Sequence, residues 1–567
     1  MPVNQITSDN LLDDIEHHFR VSAGPGAGKT HWLVGHIKNV LHSSNRLAKT
    51  RKIACITYTN IAVETILNRL GTSADRVEVS TIHSFLYKNI LKPYASLIAS
   101  DFGLNVEEMD GHDNVILSNY GFLNDWKART GQQRIREDNN VITAFKAIKW
   151  KFDTDGNLIA KTDYPHRASG YPIKNDSYLE YKKMTWEKGL VHHDDVLFLS
   201  FQIIIKFPFV LNVLRAKFPY FFVDEFQDSN PIQVEILKSI GQIETVIGII
   251  GDNAQSIYGF QGAIPSQFQT FNIGAIEDYV MADNRRSSNE IVDLLNQLRS
   301  DITQIPFRGE STMQPVILEG EMSLALQRAK LICTNETVTS LSRQNITSNA
   351  MKMEIGGIAL NGKLFNELTD TDSNRDRRVL IIASIKAVEF AREKKFNDSI
   401  KELEKLFKYK NDKQKGKRKA LIHLTTLLDK YDDFKNGTLY DFSLFIKSEI
   451  NTDIAKVTGG AIRTFYDNHS YQQLSLCITI PEDMSLHKTI HKSKGDEFDN
   501  VLLVLREETD LSFILSPNLN ANTDAAEEQR VNYVAVSRAK NRLFISVPTL
   551  STGNHELLKT KFKIEKV

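Results

Sequence analysis

Close to its N-terminus the chain reads Ala23-Gly24-Pro25-Gly26-Ala27-Gly28-Lys29-Thr30, and few stretches constrain a fold more tightly. Glycines let backbone N–H groups curl around a cluster of negative oxygens, where a Cβ would collide with them. Gly24, Gly26, Ala27 and Gly28 form such a cradle. Lys29 would reach the outer phosphates of a nucleoside triphosphate, and Thr30 would place its hydroxyl on Mg2+. Trp32-Leu33, His36-Ile37 and Val40-Leu41 recur at helical spacing, so the loop opens a helix whose N-terminal end favours anions. The strict pattern asks for glycine at position 23, where this chain has alanine.

A loop of this kind needs a parallel α/β sheet behind it, and the sequence offers one. Arg51 to Ile56 is a short apolar strand that ends in Thr57-Tyr58-Thr59-Asn60. Asn60 is placed to cap a helix carrying Val63, Ile66, Leu67 and Leu70. A second strand-to-turn follows from Val77 to Phe85, through His83. Phe218 to Val223 is wholly apolar and runs into Asp224-Glu225-Phe226-Gln227-Asp228. A phosphate loop requires a further Mg2+ carboxylate at the end of a neighbouring strand, and Asp224 is placed for it. Glu225 beside it can orient and deprotonate the attacking water. Thr245 to Gly251 makes another strand, and Asn284-Arg285-Arg286-Ser287 opens a helix with Ile291, Leu294, Leu295 and Leu298 on one stripe.

The stretches between read differently. Residues 88–187 are mixed, with turn signals at Gly131, Asp155-Gly156 and Ser169 to Pro172. Asp153-Thr-Asp155-Gly156 has its glycine too early for a calcium loop and reads as a turn. His192-His193-Asp194-Asp195 reads as the polar end of an amphipathic helix rather than a metal site. From 346 to 470 the text is rich in Lys and Glu and mostly helical, with seven cations between Lys408 and Lys419. That run is a solvated loop or a contact with nucleic-acid backbone. Strand–loop alternation returns around His491 to Leu505 and Glu527 to Val547.

At 567 residues there is room for about two to four domains. Lys+Arg and Asp+Glu both number 70, so no global field announces nucleic acid, although a local groove can be basic on a neutral chain. Cys55, Cys333 and Cys477 are far apart and lack His neighbours, which argues against zinc or disulfides and fits a reducing cytosol. No apolar run reaches the ~18 residues that span a bilayer, and no secretory signal pattern opens the chain. A cytoplasmic protein with no membrane partner is expected.

These motifs, in this order, resemble the series of superfamily 1 DNA helicases of the UvrD/Rep type, from Gln5 to Lys540. The resemblance implies an α/β fold of two RecA-like P-loop domains with parallel sheets, each carrying an inserted, mostly helical subdomain. The first core would span 1–87 and 188–280, with 88–187 inserted. The second would span 281–345 and 471–567, with a reduced insertion at 346–470. It implies ATP and Mg2+ as cofactors, Gln5 as reader of the adenine, Arg285 at the position that stacks on the base, and Glu497 at the ribose. Gln255 would sense the γ-phosphate, and Arg286 and Arg538 would be arginine fingers from the second core. Tyr58, Asn60, His83, Tyr258, Phe260 and His491 would contact single-stranded DNA, where an aromatic face grips any base. The implied activity is ATP-driven 3′-to-5′ translocation on single-stranded or tailed duplex DNA.

Four positions depart from the family pattern. Gln261 stands where arginine is usual, Arg285 replaces an aromatic residue, Ile61 a lysine and Asp496 a leucine. In length and proportions the chain resembles the helicase-like subunit of the Gabija anti-phage system, which implies a nuclease subunit as partner. A regulatory, DNA-sensing NTPase that activates such a nuclease without processive unwinding is one alternative, and a stand-alone DNA repair helicase is another.

Overall fold

Strands with no polar face need cover on both sides, and the central strands here have it. Every residue of Tyr220–Val223 and Val246–Gly251 is buried. They lie in a seven-stranded, all-parallel sheet in the spatial order Asn4–Gln5, Ile276–Met281, His18–Ala23, Val246–Gly251, Tyr220–Val223, Ile53–Thr57, Val77–Thr81. The computed structural model describes residues 4–111, 115–162, 167–168, 171–334, 336–407, 413–480 and 485–567.

The two faces of this sheet carry separate cores. On one, Trp32, Leu33, Ile37 and Val40 of the helix Lys29–Ser43 pack with Phe19, Phe222 and Ile250. On the other, Phe85, Leu199, Ile236 and Leu237 pack with Phe221 and Ile249. Because all strands are parallel, Ala23, Thr57, Val223 and Gly251 end at the same edge. The loops beginning at Gly24, Tyr58, Asp224 and Asp252 therefore share that edge, where parallel α/β sheets bind ligands.

The chain divides into two compact units. The first runs to Ser287 and takes in Asn296–Gly309 and Asn518–Arg530. The second comprises Ser288–Leu295, Glu310–Pro517 and Val531–Val567. It holds a six-stranded parallel sheet in the order His487–Thr489, Val338–Ser342, Phe498–Val504, Ala539–Val547, Val316–Glu319, Lys563–Lys566. Two large parallel sheets with flanking helices are what the strand–loop–helix alternation predicts.

Helical additions interrupt both units. In the first, Tyr120–Arg129, Asp138–Lys146 and Asp176–Trp186 close around Trp126, Phe145, Tyr178 and Tyr181. In the second, helices from Leu364–Thr371 to Tyr471–Ser475 enclose Ile381, Phe434, Phe442, Tyr466 and Tyr471. Asp153 to Asn157 is a hairpin turn between Lys149–Phe152 and Leu158–Lys161, as its residues suggest. Ser169-Gly170 of one expected turn and Lys408–Asp412 of the basic run lie outside the described residues; the rest of that run enters the helix Lys413–Asp429. Among the described residues no single helix is long and apolar enough to cross a membrane. All three cysteines are free.

Two local expectations resolve in detail. The helix Asn60–Leu70 is capped by Thr59, whose hydroxyl accepts from the Ala62 N–H, and not by Asn60, which is its first, exposed residue. The extended backbone of Thr59 suits a cap, whereas Asn60 is already helical. His192 to Asp195 does begin a helix, His193–Lys206, and Asp195 turns inward. Its buried carboxylate accepts from the indole N–H groups of Trp150 (2.9 Å) and Trp186 (3.0 Å), from Lys182 (2.8 Å) and from the His192 N–H (3.1 Å).

Candidate active site

The loop after His18–Ala23 turns through two left-handed residues, Gly26 at φ 74° and Gly28 at φ 83°. A Cβ on Gly26 would lie 2.5 Å from Asn284 Oδ1, and one on Gly28 would lie 2.8 Å from Ser8 Cβ, so both positions need glycine for space as well as for φ. Ala27 is buried, and its N–H donates to the Gly24 carbonyl at 3.3 Å. Lys29 folds back over this loop, its Nζ donating to the carbonyls of Ala23 (3.2 Å) and Gly24 (3.4 Å). Thr30 follows it in the first turn of the helix, half-buried. Gln5 is exposed on the edge strand, in register with Val280.

Asp224 and Glu225 leave the strand Tyr220–Val223 at the same edge. Asp224 is buried, and its N–H donates to the Ile56 carbonyl at 2.8 Å. Glu225 has φ 55°, a left-handed conformation that strains a residue with a Cβ by about 1–3 kcal/mol. Its N–H is caught by Asp224 Oδ1 at 3.0 Å, which helps hold it there. The result is a carboxylate thrown out of the strand direction, half-buried and supported by Gln227.

Gln227 joins this pair to the next strand. Its Nε2 donates to Glu225 Oε2, and its Oε1 accepts the Asp252 N–H at 3.0 Å. Asp252 Oδ2 in turn accepts from Gln255 Nε2 at 2.7 Å, and Ser256 Oγ donates to the Gln227 carbonyl at 3.0 Å. Asp252 is fixed from behind by Arg299, a fully buried ion pair at 3.0 Å. A buried amide that uses both its ends in this way is rigid and specific. Neither Gln227 nor Asp252 is singled out by the sequence reading. The signal for Asp252 is there all the same: a carboxylate directly after an apolar strand, as at Asp224.

Tyr258, three residues beyond Gln255, comes together with Tyr58. Their rings stack at 4.3 Å and 28°, and Phe260 lies 5.8 Å from Tyr258. Burial pushes both phenols up in pKa. Tyr258 is only 7% exposed and sits against Tyr58, whereas Phe260 is 54% exposed. The Tyr58 hydroxyl donates to the side-chain carbonyl of Gln261, so the residue that replaces the usual arginine is engaged within this aromatic group. His83 stacks on His193 at 3.6 Å, and burial, with that neighbour, pushes its imidazole down to about 3. Nitrogen and oxygen atoms of His83, His193 and Asp194 lie within 4.8 Å of one another.

The arginines divide between the units. Arg285 and Arg286 pack with the first unit. Asp283–Asn284 bridges to Ile305–Pro306, and the Arg285 N–H donates to the Gly26 carbonyl at 2.9 Å. The Arg286 N–H is held by Asn284 Oδ1 at 3.0 Å, and its carbonyl accepts from Arg308 Nη1 at 2.7 Å. Arg538 lies in the second unit, buried, donating to the carbonyls of Val534 (3.2 Å) and Asp496 (3.3 Å) and to Ser537 Oγ (3.2 Å). Glu497, exposed and paired with Lys540 at 3.1 Å, and His491, in the turn Ile490–Ser493, are in that unit too.

Two family models match the chain. The UvrD/REP helicase N-terminal domain family matches residues 4–274, and the UvrD-like helicase C-terminal domain family matches residues 275–549. A probable DNA helicase II homolog of Mycoplasma genitalium is 23% identical over 96% of this chain and 84% of its own length. The Gabija protein GajB of Bacillus cereus is 21% identical over 93% of this chain and 90% of its own. The ATP-dependent DNA helicase Rep of Buchnera aphidicola is 22% identical over 95% of this chain and 92% of its own. With family matches that run from residue 4 to residue 549, the chain belongs to the UvrD/Rep helicase family and is of the ATP-hydrolysing DNA helicase type.

Proposed function

We propose that this protein is an ATP-driven, 3′-to-5′ single-stranded DNA translocase and helicase that acts with a nuclease partner in anti-phage defence. The triphosphate would lie in the cradle of Gly24, Gly26, Ala27 and Gly28, with Lys29 on its outer phosphates. Thr30 and Asp224 offer the hard oxygens that Mg2+ takes alongside phosphate, and the ion when bound supplies charge neutralisation on the β- and γ-phosphates. Glu225 would accept the proton of the attacking water, and Gln255 would respond to the γ-phosphate through Asp252 and Gln227. Arg286 and Arg538 would meet the charge that develops in the transition state. Gln5 and Arg285 would take the base and Glu497 the ribose. Tyr58, Asn60, His83, Tyr258, Phe260 and His491 would grip the strand.

The observation that carries this reading is the relay Glu225–Gln227–Asp252–Gln255, which ends three residues before Tyr258, whose ring stacks on Tyr58. Hydrolysis and strand contact would thereby be linked through the short segment from Gln255 to Tyr258. The defence role is supported by the likeness to the Gabija protein GajB along nearly the whole length of both chains. One observation favours a second reading, a DNA-sensing NTPase that switches on a nuclease without processive unwinding: a neutral Gln261, bonded to Tyr58, in place of a cation. Unwinding of 3′-tailed and 5′-tailed duplexes, each with ATP and with any protein that co-purifies from the native host added or withheld, separates the two. The first reading expects release of the 3′-tailed duplex alone; DNA-stimulated hydrolysis with neither duplex opened would favour the second.

A further inference from the structure

A platform for a nucleotide base must be flat and held at one orientation, and a lone arginine is neither held nor still, because its stem turns about several bonds. Arg285 is held by an aromatic ring, by acidic neighbours and through its backbone. Its guanidinium carbon stands 4.0 Å from the centroid of the Phe307 ring. Its Nη2 pairs with Asp9 at 2.6 Å and lies 3.6 Å from Asp283. Its backbone is tied to Gly26 of the phosphate loop.

Phe307 is anchored in its turn. Its N–H donates to the Asn284 carbonyl at 3.0 Å, at the end of the short parallel bridge between Asp283–Asn284 and Ile305–Pro306. Gln304, just before that bridge, accepts from Asn284 Nδ2 at 2.8 Å and packs against Gly24. The Phe307 side chain is nevertheless 56% exposed, so it is no core residue, and its ring is spent on the guanidinium. The arginine side chain keeps 27% of its surface open.

We propose that Phe307 is a positioning residue for the nucleotide base: together with Asp9 it holds the Arg285 guanidinium flat, so that a purine stacks on the face of a cation beside the phosphate loop. This rests on the reading of that loop as the triphosphate site. A cation attracts the π-face of any purine, so the platform holds adenine and guanine alike and leaves discrimination between them to groups at the base edge.

Steady-state hydrolysis of ATP by the full chain tests this in Phe307→Ala, Phe307→Leu and Phe307→Tyr, with inorganic tripolyphosphate as a competitive inhibitor that has no base. Phe307→Ala should raise KM for ATP by about 3- to 10-fold, with a smaller change in kcat. Phe307→Tyr should restore KM and Phe307→Leu, which keeps the apolar bulk without the ring, should not. Inhibition by tripolyphosphate should be the same in all four proteins. An unchanged KM in Phe307→Ala, a Leu variant as good as the Tyr variant, or tripolyphosphate inhibition weakening in step with KM would each overturn the proposal. Full turnover in Lys29→Ala would instead remove the triphosphate reading itself, so the two failures are distinguishable.

Discussion

Replacing Gln227 by methionine keeps its length and volume while removing both hydrogen-bonding ends. In the folded chain one end supports the Glu225 carboxylate and the other accepts the Asp252 N–H at 3.0 Å. The first of these bonds has an ionised partner, which makes it worth about 1.5–3 kcal/mol. Glu225 is held in a left-handed conformation, so a carboxylate that loses its side-chain support has another well to relax into. If the whole of that bond serves to aim the carboxylate in the transition state, Gln227→Met lowers kcat by about 10- to 150-fold. Continuous phosphate-release assays at saturating ATP read this directly, with thermal unfolding as a check that the variant is folded. A well-folded Gln227→Met protein whose kcat stays within about twofold of the parent would refute the relay as a catalytic device.

Lys29→Ala should abolish hydrolysis, and Arg538→Ala should lower it by about 10³-fold or more, both with unchanged circular dichroism; full activity in either would displace the assigned site. Asp195→Ala leaves Lys182 charged and buried without its counter-ion, so the first unit should lose about 3–5 kcal/mol, seen as a lower urea midpoint in the fluorescence of Trp150 and Trp186. His36 is buried and stacked on Trp32, with both ring nitrogens lacking a hydrogen-bond partner, and burial pushes its pKa from 6.5 down to about 3. The unfolded chain therefore takes up a proton that the folded chain refuses, and stability is intact above about 6.5 and falls as the pH drops towards 3, by about 1.4 kcal/mol per unit for this group. Urea midpoints on either side of pH 6.5 should show this slope, and it should shrink in His36→Phe.

The chemistry legible in the sequence is the chemistry carried by neighbours in the chain. The phosphate loop and the Asp224-Glu225 pair announce themselves because backbone curvature, the end of a strand and a cation must fall within a few residues of each other. The alternation of apolar strands with helical stripes gives the two parallel sheets for the same reason. What escapes is partner choice across long separations. Nothing near Phe307 marks it as the support of Arg285, and nothing near Asp9 marks it as that arginine's counter-ion. Gln227 stands inside the motif that begins at Asp224, yet its bond to Asp252 depends on the pairing of Tyr220–Val223 with Val246–Gly251. The short bridge between Asp283–Asn284 and Ile305–Pro306, beside which Arg285 is tied to the phosphate loop, is too small to show as a pattern.

The central claim is that hydrolysis at the glycine-rich loop is coupled to a DNA strand held at Tyr58 and its neighbours. Its most direct test is the rate of ATP hydrolysis as a single-stranded oligonucleotide of mixed sequence is titrated in. The account predicts a rate that climbs and saturates, with the half-saturating DNA concentration raised by about 5- to 150-fold in Tyr58→Ala. A rate indifferent to the strand in the parent protein would contradict it.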